Sequence, residues 1–522
     1  MFHVDNTPRP LDAAELLEMA LTRAGRLVDR GIGKRDRVGV IGPNVAEWCA
    51  WSYATWLLGA TVVGLPAPLR LRDREAIARQ IQAMAEVFEC ATIASHERFL
   101  PVVDPQLALC WDDLDSNAGA LDPSRVVEGD EDDLAQIVPT SGSTSAPKGV
   151  GRTYRTVNEL HLAAYFNRAN KPLVRYLTYS PMAHGTGSVA LLAPIEPWLE
   201  AHVLPPERFA RDPGELFRLV GRHRIDTMMG TSSAVAAALR AIDQRPEGVD
   251  LSSLESCTLA FEMVDPDVLD RLIEVGARFG LRAEAVGVSY GLSEGGGTNA
   301  AAGARIRIDE IDLDHLVAHG VARSPAAAGS ATKRVASCGT PGALMGLRIA
   351  GDDGPRQERH VGEVQFRGPG MMQGYVGATS EEAFTADGWL RTGDVGYLAD
   401  GELFLTGRIK EVMMQQGKKY HPEDVEWAAA RGAGVAPAEC VAFTPVGADE
   451  GQIIVAVEVP ATSGLADLEQ RVRASVLNTV GIVLRTVVLV APATLPKAST
   501  GKAQRLAARD QHARGELDVV SR

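Results

Sequence analysis

LAQIVPTSGSTSAPKGV, residues 134–150, joins an apolar run to a loop of small and hydroxyl-bearing residues that ends in proline, lysine and glycine. The run LAQIV reads as a buried strand, so the loop falls beyond a strand's carboxyl end, where open α/β sheets place ligands. Small residues let backbone N–H groups turn inward and approach an anion closely. Ser141, Ser143 and Thr144 add hydroxyl donors, and Lys148 adds a positive charge. Phosphate is the natural guest of such a loop. It is not a Walker loop, because Lys148 follows Pro147 and precedes Gly149. Taken alone, the stretch also reads as a flexible Ser/Gly surface loop.

Strand–helix alternation surrounds it. RVGVIG (37–42) reads as a buried strand, and VAEWCAWSYATWLLGA (45–60) as the helix that follows. TVVGLP, ATIAS, LTYSP, CTLAFEM and AEAVGVSYG are further strand candidates, and PDVLDRLIEVGARFG has helical period. This alternation predicts α/β layers with largely parallel sheets. From about residue 340 the texture changes to short strands with glycine turns: GLRIAG, GEVQFRGPG, and GYLADGELFLTGR with a hairpin at Asp400-Gly401. After Lys410 a tail of domain size carries CVAFTPVG, QIIVAVEVP, a helix near 465–478 and RTVVLVAP, an α+β pattern. Residues 321–332 read as a flexible excursion rich in small residues.

The expected fold is therefore α/β. A large N-terminal domain of layered sheets plus a β-rich subdomain spans 1–407. A hinge follows at 408–411, then a small mobile α+β domain at 412–522. The 522 residues are too many for one core, and their 45% hydrophobic content suits a globular enzyme. The net charge of −14, without a long basic run, argues against a nucleic-acid partner. Six cysteines without paired spacing argue against a disulfide framework or a structural zinc site. The start, MFHVDNTPRP, lacks the pattern of a signal peptide. The longest apolar stretch, WLLGATVVGLPAPL, is too short and broken to span a bilayer, so a cytoplasmic enzyme is expected.

PTSGSTSAPKGV closely resembles the phosphate loop of the adenylate-forming superfamily of acyl-CoA synthetases, fatty-acyl-AMP ligases, peptide-synthetase adenylation domains and luciferases. Further stretches match in the family's order. SYGLSEGGG (289–297) resembles its Tyr-Gly-x-Thr-Glu motif, WLRTGDVGYL (389–398) its Thr-Gly-Asp motif, and GRIKE (407–411) its hinge. LPKASTGKAQR (495–505) resembles its terminal catalytic motif. The resemblance implies ATP and Mg2+ as cofactors. Thr140, Ser141, Gly142, Ser143, Thr144 and Lys148 would hold phosphates. Tyr290 would pack on adenine beside Gly291 and Ser293. Asp394 would bind the ribose hydroxyls and Arg408 the ribose or phosphate. Glu294 and Thr144 would hold the metal, Lys410 would be the pivot, and Lys502 would reach the α-phosphate and the acid. His184, in SPMAHGTGSVAL (180–191), takes the position beside the acyl pocket, although a lone histidine is as often structural.

Within the superfamily the chain is most similar to the fatty-acyl-AMP ligase branch. Ser145-Ala146-Pro147 continues the loop where other members have Thr-Gly. The interval from Glu294 to CGTPG (338–342) is long, with ARIRIDEIDLDHLVAHGVA inside it, and GKKYHPEDVE (417–426) fits the branch pattern. The implied activity is formation of an acyl-adenylate with pyrophosphate release, then transfer to the phosphopantetheine thiol of an acyl carrier protein. Coenzyme A, an amine or another nucleophile as acceptor, or a nucleotide-binding protein without catalysis, are the alternatives. There are departures. Glu262-Met263 stand where the branch commonly has Asn-Gly, and the frequent His-Asp pair is His184-Gly185. They point to a carboxylic acid smaller or less usual than a long-chain fatty acid.

Overall fold

The computed structural model describes residues 2–4, 11–68, 74–111, 113, 119–140, 147–159, 173–191, 196, 198–300, 305–326, 331–342, 344–415, 418–447, 452–459, 465–497 and 503–520. Two large mixed sheets dominate. One runs in the order Ala108–Cys110, Thr92–Ser95, Arg37–Ile41, Thr61–Gly64, Leu134–Thr140, Lys148–Thr153 and Gly374–Val376. Its first five strands are parallel, and its last two pairings are antiparallel. The other runs parallel from Phe2–Val4 through Leu199–Val203, Val174–Thr178, Thr227–Gly230 and Ser256–Leu259 to Val286–Gly291. It then turns antiparallel through Gly297–Ala300 and Thr340–Pro341. The sheets are thus parallel at heart, with antiparallel margins that the alternation pattern does not reveal.

The helix Ala46–Trp56 explains how the sheets share a core. Trp48, Cys49, Ala50, Trp51 and Ala54 are all buried, so the helix has no solvent face. A helix apolar all round must be covered all round. It packs in one cluster with Val38 and Val62 of one sheet and Val174 and Leu199 of the other. Its two hydroxyls are satisfied within the helix: Ser52 Oγ donates to the Trp48 carbonyl at 2.9 Å and Thr55 Oγ1 to the Trp51 carbonyl at 2.8 Å.

The β-rich part is a five-stranded antiparallel sheet ordered Gly354–Pro355, Gly346–Gly351, Gly362–Arg367, Leu390–Ala399 and Glu402–Arg408. The last two strands are joined by Asp400 and Gly401 with φ of 53° and 77°. Positive φ at both central residues is what a type I′ hairpin needs. The excursion expected at 321–332 is instead tied down on both sides. Thr332–Ala336 pairs with Ile308–Asp312, and Ala322 N–H donates to the Arg359 carbonyl at 2.8 Å. Residues 327–330 between them lie outside the described residues.

The C-terminal domain is a three-stranded sheet of Cys440–Phe443, Ile454–Glu458 and Thr486–Val490. Side chains alternate across a strand. Cys440 and Ala442 accordingly pack with helices Pro422–Ala433 and Leu465–Val480, while Val441 and Phe443 pack with Ala508 of helix Arg505–Arg514. Lys333 of the large domain meets Asp424 of the small one at 2.7 Å, both little exposed, and Arg431 meets Asp267 at 2.9 Å. Gly407 admits His421 at the junction: a Cβ there would lie 1.9 Å from His421 Nδ1. All six cysteines are free. Among the described residues no helix is long and apolar enough to cross a membrane.

Candidate active site

A cleft of about 3240 Å³ runs between the two sheets and the C-terminal domain. Thr140 and Lys148 stand at its rim as Cα partners at the open end of the antiparallel pair Leu134–Thr140/Lys148–Thr153. The hydroxyl of Thr140 reaches the Lys148 carbonyl at 3.4 Å. Ser141, Gly142, Ser143 and Thr144, expected to hold phosphates, lie outside the described residues. The pairing places Thr140 and Lys148, on either side of that stretch, next to each other.

From Lys148 a chain of contacts leads to the expected metal ligand. The Lys148 ammonium sits 4.0 Å from the centre of the Tyr375 ring, a cation–π geometry. The Tyr375 hydroxyl donates to Glu294 Oε1 at 2.7 Å. Burial, and then the Glu294 charge, push the Tyr375 phenol far above its ordinary range, so it stays protonated and donates. The motif reading had missed Tyr375. It belongs to the three-residue strand Gly374–Val376, which leaves the β-rich region to pair with Lys148–Thr153.

The second group surrounds Asp394, which is buried. The Tyr290 hydroxyl donates to Asp394 Oδ2 at 2.5 Å, and Arg408 Nε donates to Oδ1 at 2.7 Å. These three residues come from Val286–Gly291, Leu390–Ala399 and Glu402–Arg408, so two sheets converge here. Burial first, and the Asp394 charge second, raise the Tyr290 phenol well above 10. Asp394 is the main reason the Arg408 guanidinium is held more tightly protonated. Tyr290, expected to pack on adenine, is thus also a donor to the expected ribose carboxylate. Its ring lies 5.9 Å from that of Phe366. Gly291 is exposed beside it, and Ser293 and Glu294 are half-buried on the cleft wall.

His184 lines the cleft, half-buried, with Nδ1 3.1 Å from Thr186 Oγ1. Met263 faces a smaller cavity of about 120 Å³ that it shares with Tyr290, Asp394 and Arg408. Glu262 does not enter the cleft. It accepts from Ser233 N at 2.6 Å and from Ser233 Oγ at 3.1 Å, holding the first turn of helix Ser232–Gln244. Phe261, just before it, lines both cavities with φ of 73°, a left-handed conformation costly for an aromatic residue.

The opposite wall comes from the C-terminal domain. Lys410 is exposed on the short turn Ile409–Glu411 and borders the cleft. Lys502 lies outside the described residues, but both sides of its segment are fixed. Lys497 bridges to Ala503, Gln504 N–H donates to the Pro496 carbonyl at 2.9 Å, and Lys497 pairs with Glu458 at 2.9 Å. Arg505 is gripped by Glu423 at 2.9 Å and Glu426 at 2.6 Å, and it also pairs with Glu411 of the turn Ile409–Glu411, where a hinge is expected. Lys497, Ala503 and Gln504 line the same cleft as Thr140, Lys148, Tyr290 and Glu294.

Residues 3–376 match the family model described as AMP-binding enzyme. The chain belongs to that family. As an AMP-binding enzyme it is an adenylate-forming ligase, and such enzymes use ATP. Residues 410–522 match a second model, the AMP domain of Disco-interacting protein 2-like proteins. The enzyme is 31% identical to a putative ligase, Rv1013, of Mycobacterium tuberculosis, over 94% of this chain and 92% of that one. It is 27% identical to JamA of Moorena producens, a medium-chain-fatty-acid–[acyl-carrier-protein] ligase, over 97% of this chain and 90% of that one. Its fold superposes on a structure from a study of fatty acyl-adenylate ligases of E. coli and L. pneumophila, with a TM-score of 0.88 and 24% identity. That superposition covers 98% of this chain and 95% of the other.

One further residue of this AMP-binding enzyme escaped the motif reading. Arg152 lies on Lys148–Thr153, after the expected phosphate loop, and lines the cleft, with Nη2 donating to the Ser293 carbonyl at 3.1 Å. An arginine in the middle of the apolar-looking run VGRT was the available signal.

Proposed function

We propose that the enzyme activates a carboxylic acid with ATP and passes the acyl group to the phosphopantetheine thiol of a carrier protein. The observation that carries this reading is the shared cleft: the ends of the phosphate-loop hairpin, the Tyr290–Asp394–Arg408 group and the flanks of the Lys502 segment border one space. Thr140, Ser141, Gly142, Ser143, Thr144 and Lys148 hold the phosphates. Tyr290, Gly291 and Ser293 border the adenosine, Asp394 accepts from the ribose hydroxyls, and Arg408 fixes that carboxylate. His184 stands beside the acid.

An oxygen of the substrate carboxylate attacks the α-phosphorus, the bond from that phosphorus to the bridging oxygen breaks, and pyrophosphate leaves. No protein base is needed, because a carboxylate is already ionised at neutral pH. Two anions meet in this step, so a cation positioned for the transition state supplies most of the rate. Lys502 is that cation. Glu294 suits Mg2+, which binds through one or two carboxylates plus substrate phosphates and keeps its waters; with Thr144 it would hold the ion, which neutralises phosphate charge. Tyr375 fixes the Glu294 carboxylate from the side.

The small domain, 412–522, turns about a hinge at 408–411 after the first half-reaction and presents another face to the thiol, with Lys410 as pivot. The match to a carrier-protein ligase over nearly the whole chain supports that acceptor. The test offers a panel of acids with ATP and Mg2+, reads acyl-AMP by mass spectrometry, and then adds coenzyme A or a phosphopantetheinylated carrier protein. Acyl-AMP with carrier loading is expected. Turnover of coenzyme A instead would reassign the acceptor, and absence of acyl-AMP with every acid would refute the reading.

A further inference from the structure

Arg152 sits opposite Gln136 in the strand pair, four residues along the strand from Lys148. At ~3.4 Å per residue this puts it roughly 13 Å from the phosphate-loop lysine. It is only 7% exposed, yet it lines the cleft with Gln136, His184, Gly185, Ser188 and Ser293. Among the described residues its hydrogen-bond partners are all neutral. Besides the Ser293 carbonyl, Nη1 reaches Ser188 Oγ at 3.4 Å and Gln136 Oε1 at 3.5 Å, both long contacts. Among the described residues it forms no ion pair. Burial pushes the guanidinium down to about 10, with Glu294 opposing the shift from beyond ion-pair distance. A buried cation with only neutral acceptors is costly unless an anion joins it.

Gln136 adds an independent sign. It is 3% exposed, and among the described residues its Nε2 has no hydrogen-bond partner while its Oε1 faces Arg152. Buried amide donors are rarely left unmade. Gly185 completes the arrangement: a Cβ there would lie 3.0 Å from Arg152 Nη2 and 3.1 Å from Ser293 Oγ. The glycine therefore gives the guanidinium its room, and it keeps the neighbouring position free of a carboxylate that would neutralise it.

We propose that Arg152 and Gln136 form a second anion-binding point in the acid pocket, and that the preferred substrate is a dicarboxylic acid. One carboxylate reacts at the α-phosphorus, and the other is held by the guanidinium and the amide. This deepens the acid-activation reading and rests on it.

The test uses the full chain and length-matched acids, such as butyrate against succinate and octanoate against suberate, with acyl-AMP formation as readout. A charge-assisted hydrogen bond predicts a kcat/KM ratio of diacid to monoacid of about tenfold to a hundredfold in the unsubstituted enzyme. Arg152→Met collapses that ratio. Gly185→Asp, which sets a carboxylate beside the guanidinium, collapses it too, and it serves where Arg152→Met does not fold. A monoacid used as well as its diacid partner overturns the inference. So does an equal loss on both acids in the variants, since that marks a structural role or a contact to the reacting carboxylate. In either case acyl-AMP still forms, which separates this failure from that of acid activation itself, where no acid gives acyl-AMP and both readings fall.

Discussion

The large-domain wall of the cleft is cross-linked to itself, whereas the small-domain wall is carried as a unit. Tyr290, Asp394 and Arg408 come from three strands and meet at 2.5 and 2.7 Å, and Lys148, Tyr375 and Glu294 form a second linked row. The segment bearing Lys502 is instead anchored behind itself, through Lys497 to Glu458 and through Arg505 to Glu411, Glu423 and Glu426. On the proposed function, the first design preorganises the nucleotide site. The second, in the same proposal, lets one domain movement bring in or withdraw the Lys502 cation without rebuilding that site. Glu411 belongs to the turn Ile409–Glu411, the proposed hinge, so the Arg505 anchor ties the segment that carries Lys502 to the proposed pivot.

The largest expected effect is on the delivered cation. Lys502→Ala should lower acyl-AMP formation by about 10²–10³-fold, as loss of a preorganised transition-state donor does, with the unfolding midpoint unchanged. A loss confined to KM for the acid would contradict its role in the transition state. On the opposite wall, Asp394→Asn should raise KM for ATP by about tenfold to a hundredfold, the range for hydrogen bonds to a charged group, with a smaller effect on kcat. Nucleotide titration by calorimetry checks it, and an unchanged affinity would break the comparison.

Lys410→Pro should separate the two half-reactions. Residues 409–411 form a 3-10 turn, whose φ suits proline, so the substitution should favour the arrangement described here. In that arrangement the flanks of the Lys502 segment line the cleft, so acyl-AMP formation should persist while thiol transfer slows by several-fold. Equal losses in rapid-quench measurements of the two steps would count against the hinge. The smallest effect is a pH dependence of the domain junction. Burial first, then Lys333, depresses the His421 imidazole below 6.5, against the opposing charges of Asp424, Glu423 and Glu411. The docked form therefore binds fewer protons than the undocked one, so docking is strongest above 6.5 and weakens as pH falls through and below it. Limited proteolysis between the domains should accelerate on acidification in the parent chain and less in His421→Asn; the same slope in both would remove His421 from the account.

Much of the fold was readable because β-branched runs such as RVGVI, TVVLV and IVAVE form strands where they stand. The Asp-Gly turn fixed a hairpin for a local reason, positive φ at both residues. The missed parts depend on distant partners. Gly374–Val376 is too short to signal a strand, and it is one only because Lys148–Thr153 offers an edge; Tyr375 was lost with it. The stretch 321–332 looked like loose chain, yet its last residue, Thr332, opens a strand that pairs with Ile308–Asp312. At the site, motif spacing pointed to Asp394 and Tyr290 separately, but the 2.5 Å bond between them requires two sheets to converge. Arg152 was hidden because an arginine inside a strand pattern acquires meaning only from what surrounds its guanidinium.

The most direct measurement follows the carboxylate oxygen. With a heavy-oxygen-labelled acid, one turnover through adenylation and thiol transfer should leave one labelled oxygen in AMP and none in pyrophosphate, because the carboxylate oxygen becomes the bridge to the α-phosphorus. Unlabelled AMP, or ADP and phosphate as the nucleotide products, would contradict the account.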